Sequence, residues 1–247
     1  MITDNEQRIT NKLIVALDVS TANEARKAVS ELKNLGVAFK IGLQLFVAEG
    51  ASFVRELTES GARVFLDLKF HDIPNTVVAA AIEAARLGVW MLNLHAAGGR
   101  EMMERTVTAV RESCERERLP QPKIIGVTVL TSSNRETLRE TGIETEVLPH
   151  VVKLAQLSES CGLDGVVASP LEIEAIRETI GKDFLIVTPG IRLETTLAND
   201  DQKRVLTAAQ AVRAGADYLV VGRPILRAEN PERAAADVLS AIESVNV

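Results

Sequence analysis

Short runs of Val, Ile and Leu alternate with longer amphipathic stretches from one end of the chain to the other. The apolar runs begin near Leu13 (LIVALDV), Ala38 (AFKIGL), Arg63 (RVFLDLKF), Trp90 (WMLNLHA), Lys123 (KIIGVTVL), Gly165 (GVVAS), Phe184 (FLIVTPG) and Asp217 (DYLVVGR). Runs this short and this apolar suit parallel strands covered on both faces, because no side of them is consistently polar. Between them the spacing predicts helices. Asn23–Leu35 carries Ala25, Ala28, Val29 and Leu32 at three- and four-residue intervals, one apolar stripe. Asn75–Leu87, Arg100–Arg118, Leu171–Ile180, Gln202–Ala214 and Pro231–Val245 repeat that period. Gly36, Gly61, Gly88, Gly162 and Gly215 stand where helices should end, and a left-handed glycine closes a helix at little cost.

The alternation runs without a Pro/Gly/Ser-rich linker or a shift in composition, which points to one α/β domain over residues 1–247. Strand-helix units from end to end favour a closed, single-domain (β/α)8 barrel over an open doubly wound sheet. The open sheet would more often carry a GxGxxG turn after its first strand, and LIVALDVSTANEA has none. A chain of 247 residues also matches the roughly 250 that such a barrel uses.

Composition narrows function more than fold. With 46% hydrophobic and 25% charged residues the chain is ordinary globular protein, so disordered and low-complexity classes fall away. A formal charge of −6 argues against a nucleic-acid partner, which needs a basic face, but leaves room for a local anionic ligand site. The polar segment Met1–Lys12 has no signal-peptide core, and no apolar run approaches the roughly 18 residues of a membrane span. The expected location is cytoplasmic, with no membrane partner. Cys114 and Cys161 are too few for a disulfide scaffold, and His71, His95 and His150 have no zinc-binding spacing, so no metal site is expected. The alternating charges of Arg111–Arg118 read as a solvated helix end.

In a barrel of this kind, chemistry belongs where strands end and loops begin. Asp18, Lys40, Asp67 and Lys69 fall at the ends of the first three strands, and a charge there is costly unless paired. In LDLKF, strand alternation puts Asp67 and Lys69 on one face and Leu66, Leu68 and Phe70 on the other. If the Leu face packs on helices, the charged face looks into the barrel. One such pair could be a structural ion pair, whereas charges on three successive strand ends favour a site. Asp72 follows the strand, and Pro74 suits the first turn of the next helix. Asp72 and Thr76 can also be understood as helix-capping residues.

DLKFHDIPNTV, Asp67 to Val77, resembles the signature of the orotidine 5'-monophosphate decarboxylase family. Five further motifs come in that family's order: ALDV from Ala16, FKIG around Lys40, VLTS from Val129, PGIR from Pro189 and VGRPI from Val221. The resemblance implies conversion of orotidine 5'-monophosphate to uridine 5'-monophosphate (UMP), the last step of pyrimidine nucleotide synthesis, with no cofactor. Losing carbon dioxide leaves a carbanion at ring carbon six that no adjacent carbonyl delocalises. Charge placement must then do the stabilising, which an alternating Lys40–Asp67–Lys69–Asp72 array can supply.

The resemblance further implies a role for each residue. Lys69 stabilises the carbanion and delivers the proton, while Asp67 crowds the substrate carboxylate. Asp18 and Lys40 hold the ribose hydroxyls, and Thr131 contacts the pyrimidine. Asp72, Ile73 and Thr76 reach the neighbouring subunit's site in a homodimer. The phosphate falls to Pro189, Gly222 and Arg223 at the ends of the last two strands, with Arg192 and Gln202. The polar stretch Leu193–Gln202 reads as a lid. His71 is expected to orient its loop and His95 to be a satisfied polar residue. Two rivals stay open. A magnesium-dependent keto-sugar-phosphate decarboxylase or hexulose-phosphate synthase would share the Asp-x-Lys strand and phosphate loops, but usually lacks HDIPNTV and adds an acidic metal ligand. A non-catalytic nucleotide-sensing barrel would be expected to have lost part of the charged array.

Overall fold

A computed structural model describes residues 12–191 and 206–245. The expected strands all form: β1 (Leu13–Ala16), β2 (Ala38–Gly42), β3 (Val64–Phe70), β4 (Met91–His95), β5 (Lys123–Val127), β6 (Gly165–Val167), β7 (Leu185–Pro189) and β8 (Tyr218–Val221). Each pairs in parallel with the next, and β8 returns to β1, closing an eight-stranded barrel in chain order.

The connecting helices are α1 (Ala22–Leu32), α2 (Leu43–Glu59), α3 (Pro74–Arg86), α4 (Gly99–Glu117), α5 (Arg135–Glu140), α6 (Val147–Ser160), α7 (Ile173–Thr179), α8 (Ala208–Ala214), α9 (Arg223–Leu226) and α10 (Pro231–Glu243). Two stretches the periodicity left unassigned are helical. α2 escaped because Gly50, at φ 73°, kinks it and breaks the stripe. α5 and α6 fill the long connection after β5, and Pro149 sits in the first turn of α6, where it is tolerated. The helix expected over Leu171–Ile180 starts as a 3-10 turn at Pro170–Glu172 and becomes α-helical only at Ile173. α8 begins later than Gln202 because Thr207 and Gln210 cap it reciprocally. All five helix-ending glycines do take positive φ.

Alternating residues of the strands feed two cores. Leu13, Val15, Ile41, Leu66 and Leu92 face outward against the helices. Ile14, Ala16, Ala38, Phe65, Met91, Ile125, Val187 and Val220 fill the barrel itself. At its N-terminal end, Trp90 meets Tyr218 edge-on at 5.1 Å, and the Arg63 guanidinium lies 5.0 Å over the Trp90 ring. Among the described residues no helix is long and apolar enough to cross a membrane.

Candidate active site

β3 outruns its neighbour at the C-terminal end of the barrel. Leu66 pairs with Leu92 and Phe70 with Leu94, so Asp67, Leu68 and Lys69 stand opposite the single residue Asn93. The strand takes up the excess as a bulge in which Lys69 adopts φ 53°. A left-handed backbone costs a residue with a Cβ roughly 1–2 kcal/mol, so something must hold it there. Leu68 and Phe70 pack on the outer core, as alternation predicts, and Asp67 and Lys69 turn into the barrel mouth.

There the charges form a chain. Asp18 Oδ1 lies 3.5 Å from Lys40 Nζ, and Lys40 Nζ lies 3.2 Å from Asp67 Oδ2. Lys69 Nζ donates to Asp67 Oδ1 at 2.7 Å. The side chains of Lys40 and Asp67 are only 13% and 12% exposed, which shields that pair from solvent, whereas Lys69 keeps 30%. Asp18 approaches Gly222 so closely that a Cβ there would stand 2.9 Å from Asp18 Oδ2 and would push that carboxylate aside. Beneath the chain, Asn93 is fully buried. Its Oδ1 accepts the Lys69 backbone N–H at 2.8 Å, and its Nδ2 donates to Asp67 Oδ1 at 2.7 Å.

These groups border a cavity of about 290 Å3 floored by Ala16, Phe65 and Val187. Thr131, Pro189 and Gly190 continue its wall, and Gly190 turns away with φ 79°. Gly222 and Arg223 lie just beyond, where β8 passes into α9, with Arg223 exposed. Arg192, Gln202 and the Leu193–Gln202 stretch lie outside the described residues.

Asp72, Ile73 and Thr76 are exposed and do not line the cavity of their own chain. The capping role is not seen: Ile73 occupies the N-cap position of α3 without a side-chain cap bond, and among the described residues Asp72 Oδ1 accepts only the Ile73 N–H, at 2.6 Å. Among the described residues Asp72 forms no ion pair, so within one chain the array runs Asp18–Lys40–Asp67–Lys69 and stops short of it. The imidazoles of His71 and His95 lie 5.2 Å apart. Burial holds His95 below the usual imidazole range, with repulsion from His71 and Lys69 adding to the effect.

Asn93 is the member that pattern reading missed. In WMLNLHA it is one polar letter inside an apolar strand, and only its full burial beside two charged strand residues distinguishes it.

The closed parallel barrel, with paired charges and a cavity at the C-terminal strand ends, defines the (β/α)8-barrel class of proteins that hold small ligands in that mouth. Within that class the chain belongs to the orotidine 5'-phosphate decarboxylase / HUMPS family, whose model matches residues 11–238. It is 54% identical over 231 residues to the orotidine 5'-phosphate decarboxylase of Geobacter sulfurreducens, covering 94% of this chain and 95% of the relative. The enzyme of the same name from Moorella thermoacetica is 52% identical over 236 residues, 95% of this chain and 93% of the relative. The crystal structure of orotidine 5'-phosphate decarboxylase from Lactobacillus acidophilus superposes with a TM-score of 0.83 at 35% identity, covering 94% of this chain and 99% of that one.

Proposed function

We propose that this protein decarboxylates orotidine 5'-monophosphate to UMP in pyrimidine synthesis, a carboxy-lyase that uses its own charged side chains in place of a cofactor. The observation that carries the reading is the Asp18–Lys40–Asp67–Lys69 chain bordering a cavity whose remaining lining is apolar apart from Thr131, in a protein whose relatives bear that enzyme's name. The substrate carboxylate sits against Asp67, where like charge favours its departure. The C6–carboxylate bond breaks, carbon dioxide leaves, and the electron pair on C6 takes the proton of Lys69 Nζ. Water then reprotonates the amine. The Lys69 ammonium, already held at 2.7 Å from Asp67, needs little rearrangement to meet the developing charge.

Asp18 and Lys40 take the ribose hydroxyls, and Thr131 the pyrimidine edge. Pro189, Gly222 and Arg223, with Arg192 and Gln202, take the phosphate. Asp72, Ile73 and Thr76 serve the site of a partner subunit in a homodimer. Two features support that assignment: Asp72 lacks an ion pair within its own chain among the described residues, and Ile73 is 66% exposed beside the mouth, an apolar side chain suited to burial by a partner. In this reading residues 1–247 work as one barrel unit, in the cytoplasm.

The magnesium-dependent alternatives fit less well. Asp18 and Asp67 are already matched by lysines, and among the described residues no three His, Cys, Asp or Glu side chains gather as a metal site. The deciding experiment follows the ultraviolet loss of orotidine 5'-monophosphate with purified protein, before and after exhaustive chelation. Turnover unchanged by chelation is the expected result. No turnover, or turnover that magnesium must restore, would overturn the reading.

A further inference from the structure

We infer that Asn93 is a positioning residue for the decarboxylation, setting Lys69 and Asp67 together through one carboxamide. The inference rests on the proposed function for its kinetic part and on geometry alone for the rest.

The bulge in β3 removes the Lys69 N–H from the strand ladder, because three residues of β3 face one of β4. Asn93 Oδ1 replaces the missing backbone acceptor at 2.8 Å. That bond anchors a residue whose φ of 53° would otherwise relax, and with it the direction in which the lysine side chain leaves the strand. The other end of the same planar amide donates to Asp67 Oδ1 at 2.7 Å. Asp67 Oδ1 thereby receives both Asn93 and the Lys69 ammonium, while Oδ2 is left to Lys40 at 3.2 Å. The carboxylate plane is fixed with one oxygen for each lysine.

The chemistry of position 93 is restrictive. A carboxamide offers an acceptor and a donor on one short, rigid group. Leucine of similar volume offers neither and would leave the Lys69 N–H without a partner. Aspartate can accept from Lys69 but, when ionised, presents a second negative charge to Asp67. Asn93 is fully buried, so it acts through its neighbours and does not touch substrate.

Asn93→Leu and Asn93→Asp test the inference in the full-length protein. Misplacing a reacting group by about 1 Å can lower a rate on the order of 100-fold, and Asn93→Leu should lower kcat by that order while UMP affinity changes less than about threefold. Amide exchange at Lys69, followed by NMR, should speed up at least about tenfold in Asn93→Leu with the other β3 and β4 amides unchanged. In Asn93→Asp a protonated carboxyl can still donate to Asp67, so kcat should recover as pH falls and decline as pH rises, a limb the wild type lacks. The charged and titratable groups around it are Asp67 and Lys69 on β3, Lys40 on β2, His95 on β4 itself and His71 beyond β3. The limb should persist in the Asn93→Asp/His95→Gln double variant, which removes the neighbouring imidazole.

If Asn93→Leu keeps kcat within about threefold, or loses kcat and UMP affinity in equal measure, the inference is overturned. Should Asn93→Leu fail to fold, an Asn93→Asp profile parallel to that of the wild type overturns it instead. If the wild type itself does not turn over orotidine 5'-monophosphate, the functional reading fails, and Lys69 amide exchange then decides the positioning role by itself: unchanged exchange refutes it.

Discussion

At the N-terminal end of the barrel the Arg63 guanidinium lies over Trp90, with one N–H donated to the Gly36 carbonyl at 3.0 Å. At the C-terminal end Lys40 and Lys69 alternate with Asp18 and Asp67 around a cavity. Both ends draw cations out of water. The lower one is covered by the Trp90 face and a carbonyl, forms no ion pair among the described residues, and is held by burial below the ordinary arginine value. That arrangement lays ring and guanidinium across the N-terminal end of the barrel. The upper end leaves its cations close together beside open volume, an arrangement that ligand can complete. In the proposed reading the same strands therefore carry a stabilising end and a reactive end, and substitutions should separate the two.

The largest effect is expected from Lys69→Ala. Its side chain is 30% exposed, so truncation should be tolerated by the fold, while kcat should fall by at least 100-fold, about 3 kcal/mol of lost charge stabilisation. A variant within tenfold of wild-type kcat would erase the distinction between the two ends.

A second test asks whether the reactive end is completed by another chain. Lys69→Ala and Asp72→Asn chains, each inactive alone, are mixed under conditions that exchange subunits. If Asp72 crosses to the partner, one site of each hybrid dimer holds both lesions and the other holds neither, so roughly a quarter of wild-type activity should return with random exchange. No recovery, once mass spectrometry confirms hybrids, would confine Asp72 to its own chain.

Trp90→Ala probes the stabilising end. Removing this partly buried ring should cost about 2–4 kcal/mol, or roughly 5–12 °C in Tm, with kcat at 25 °C within about twofold of wild type. A rate loss larger than that would show the lower end coupled to the chemistry.

The smallest effect concerns pH. His95 has a folded-state pKa below its ordinary 6.5, through burial first and then His71 and Lys69. The folded protein therefore binds that proton less readily than the unfolded chain does. Stability from this group is complete above pH 6.5 and is lost as pH falls from there toward the folded pKa. His150 is depressed in the same sense by burial and Lys153, whereas buried Glu172 is raised and acts with opposite sign. Comparing wild type with His95→Gln isolates the one imidazole: the wild type should lose about 1–3 °C more in Tm on acidification through this window. Equal losses would remove His95 from the balance.

The two ends were not equally legible in sequence. Asp67 and Lys69 announced themselves because charge inside an apolar strand is costly, and the alternation that aimed them inward survived the bulge. Eight apolar runs gave the barrel, since each strand is covered on both sides. α2 was hidden by the Gly50 kink and by exposed Leu43 and Val47, which blur its apolar stripe. Asn93 was hidden for a different reason. Its importance lies in a register mismatch between β3 and β4, and register is a property of two strands that neither one encodes visibly by itself. Arg223 was singled out only through its motif, because a Gly-Arg pair after a strand is common, and its phosphate role rests on that motif.

The eight side chains that fill the barrel interior have one further consequence. With the polar Asn93 carboxamide set among them, they form a plug of low polarity under the ion chain. An electric field set up by Lys40, Asp67 and Lys69 is screened little by these apolar side chains, so its lines are focused outward through the mouth, toward the space a ligand would fill. The hydrocarbon interior thus acts as an insulator as well as a core. Swapping Met91 or Ile125 for a polar residue that admits water would weaken the potential above without touching any charged group.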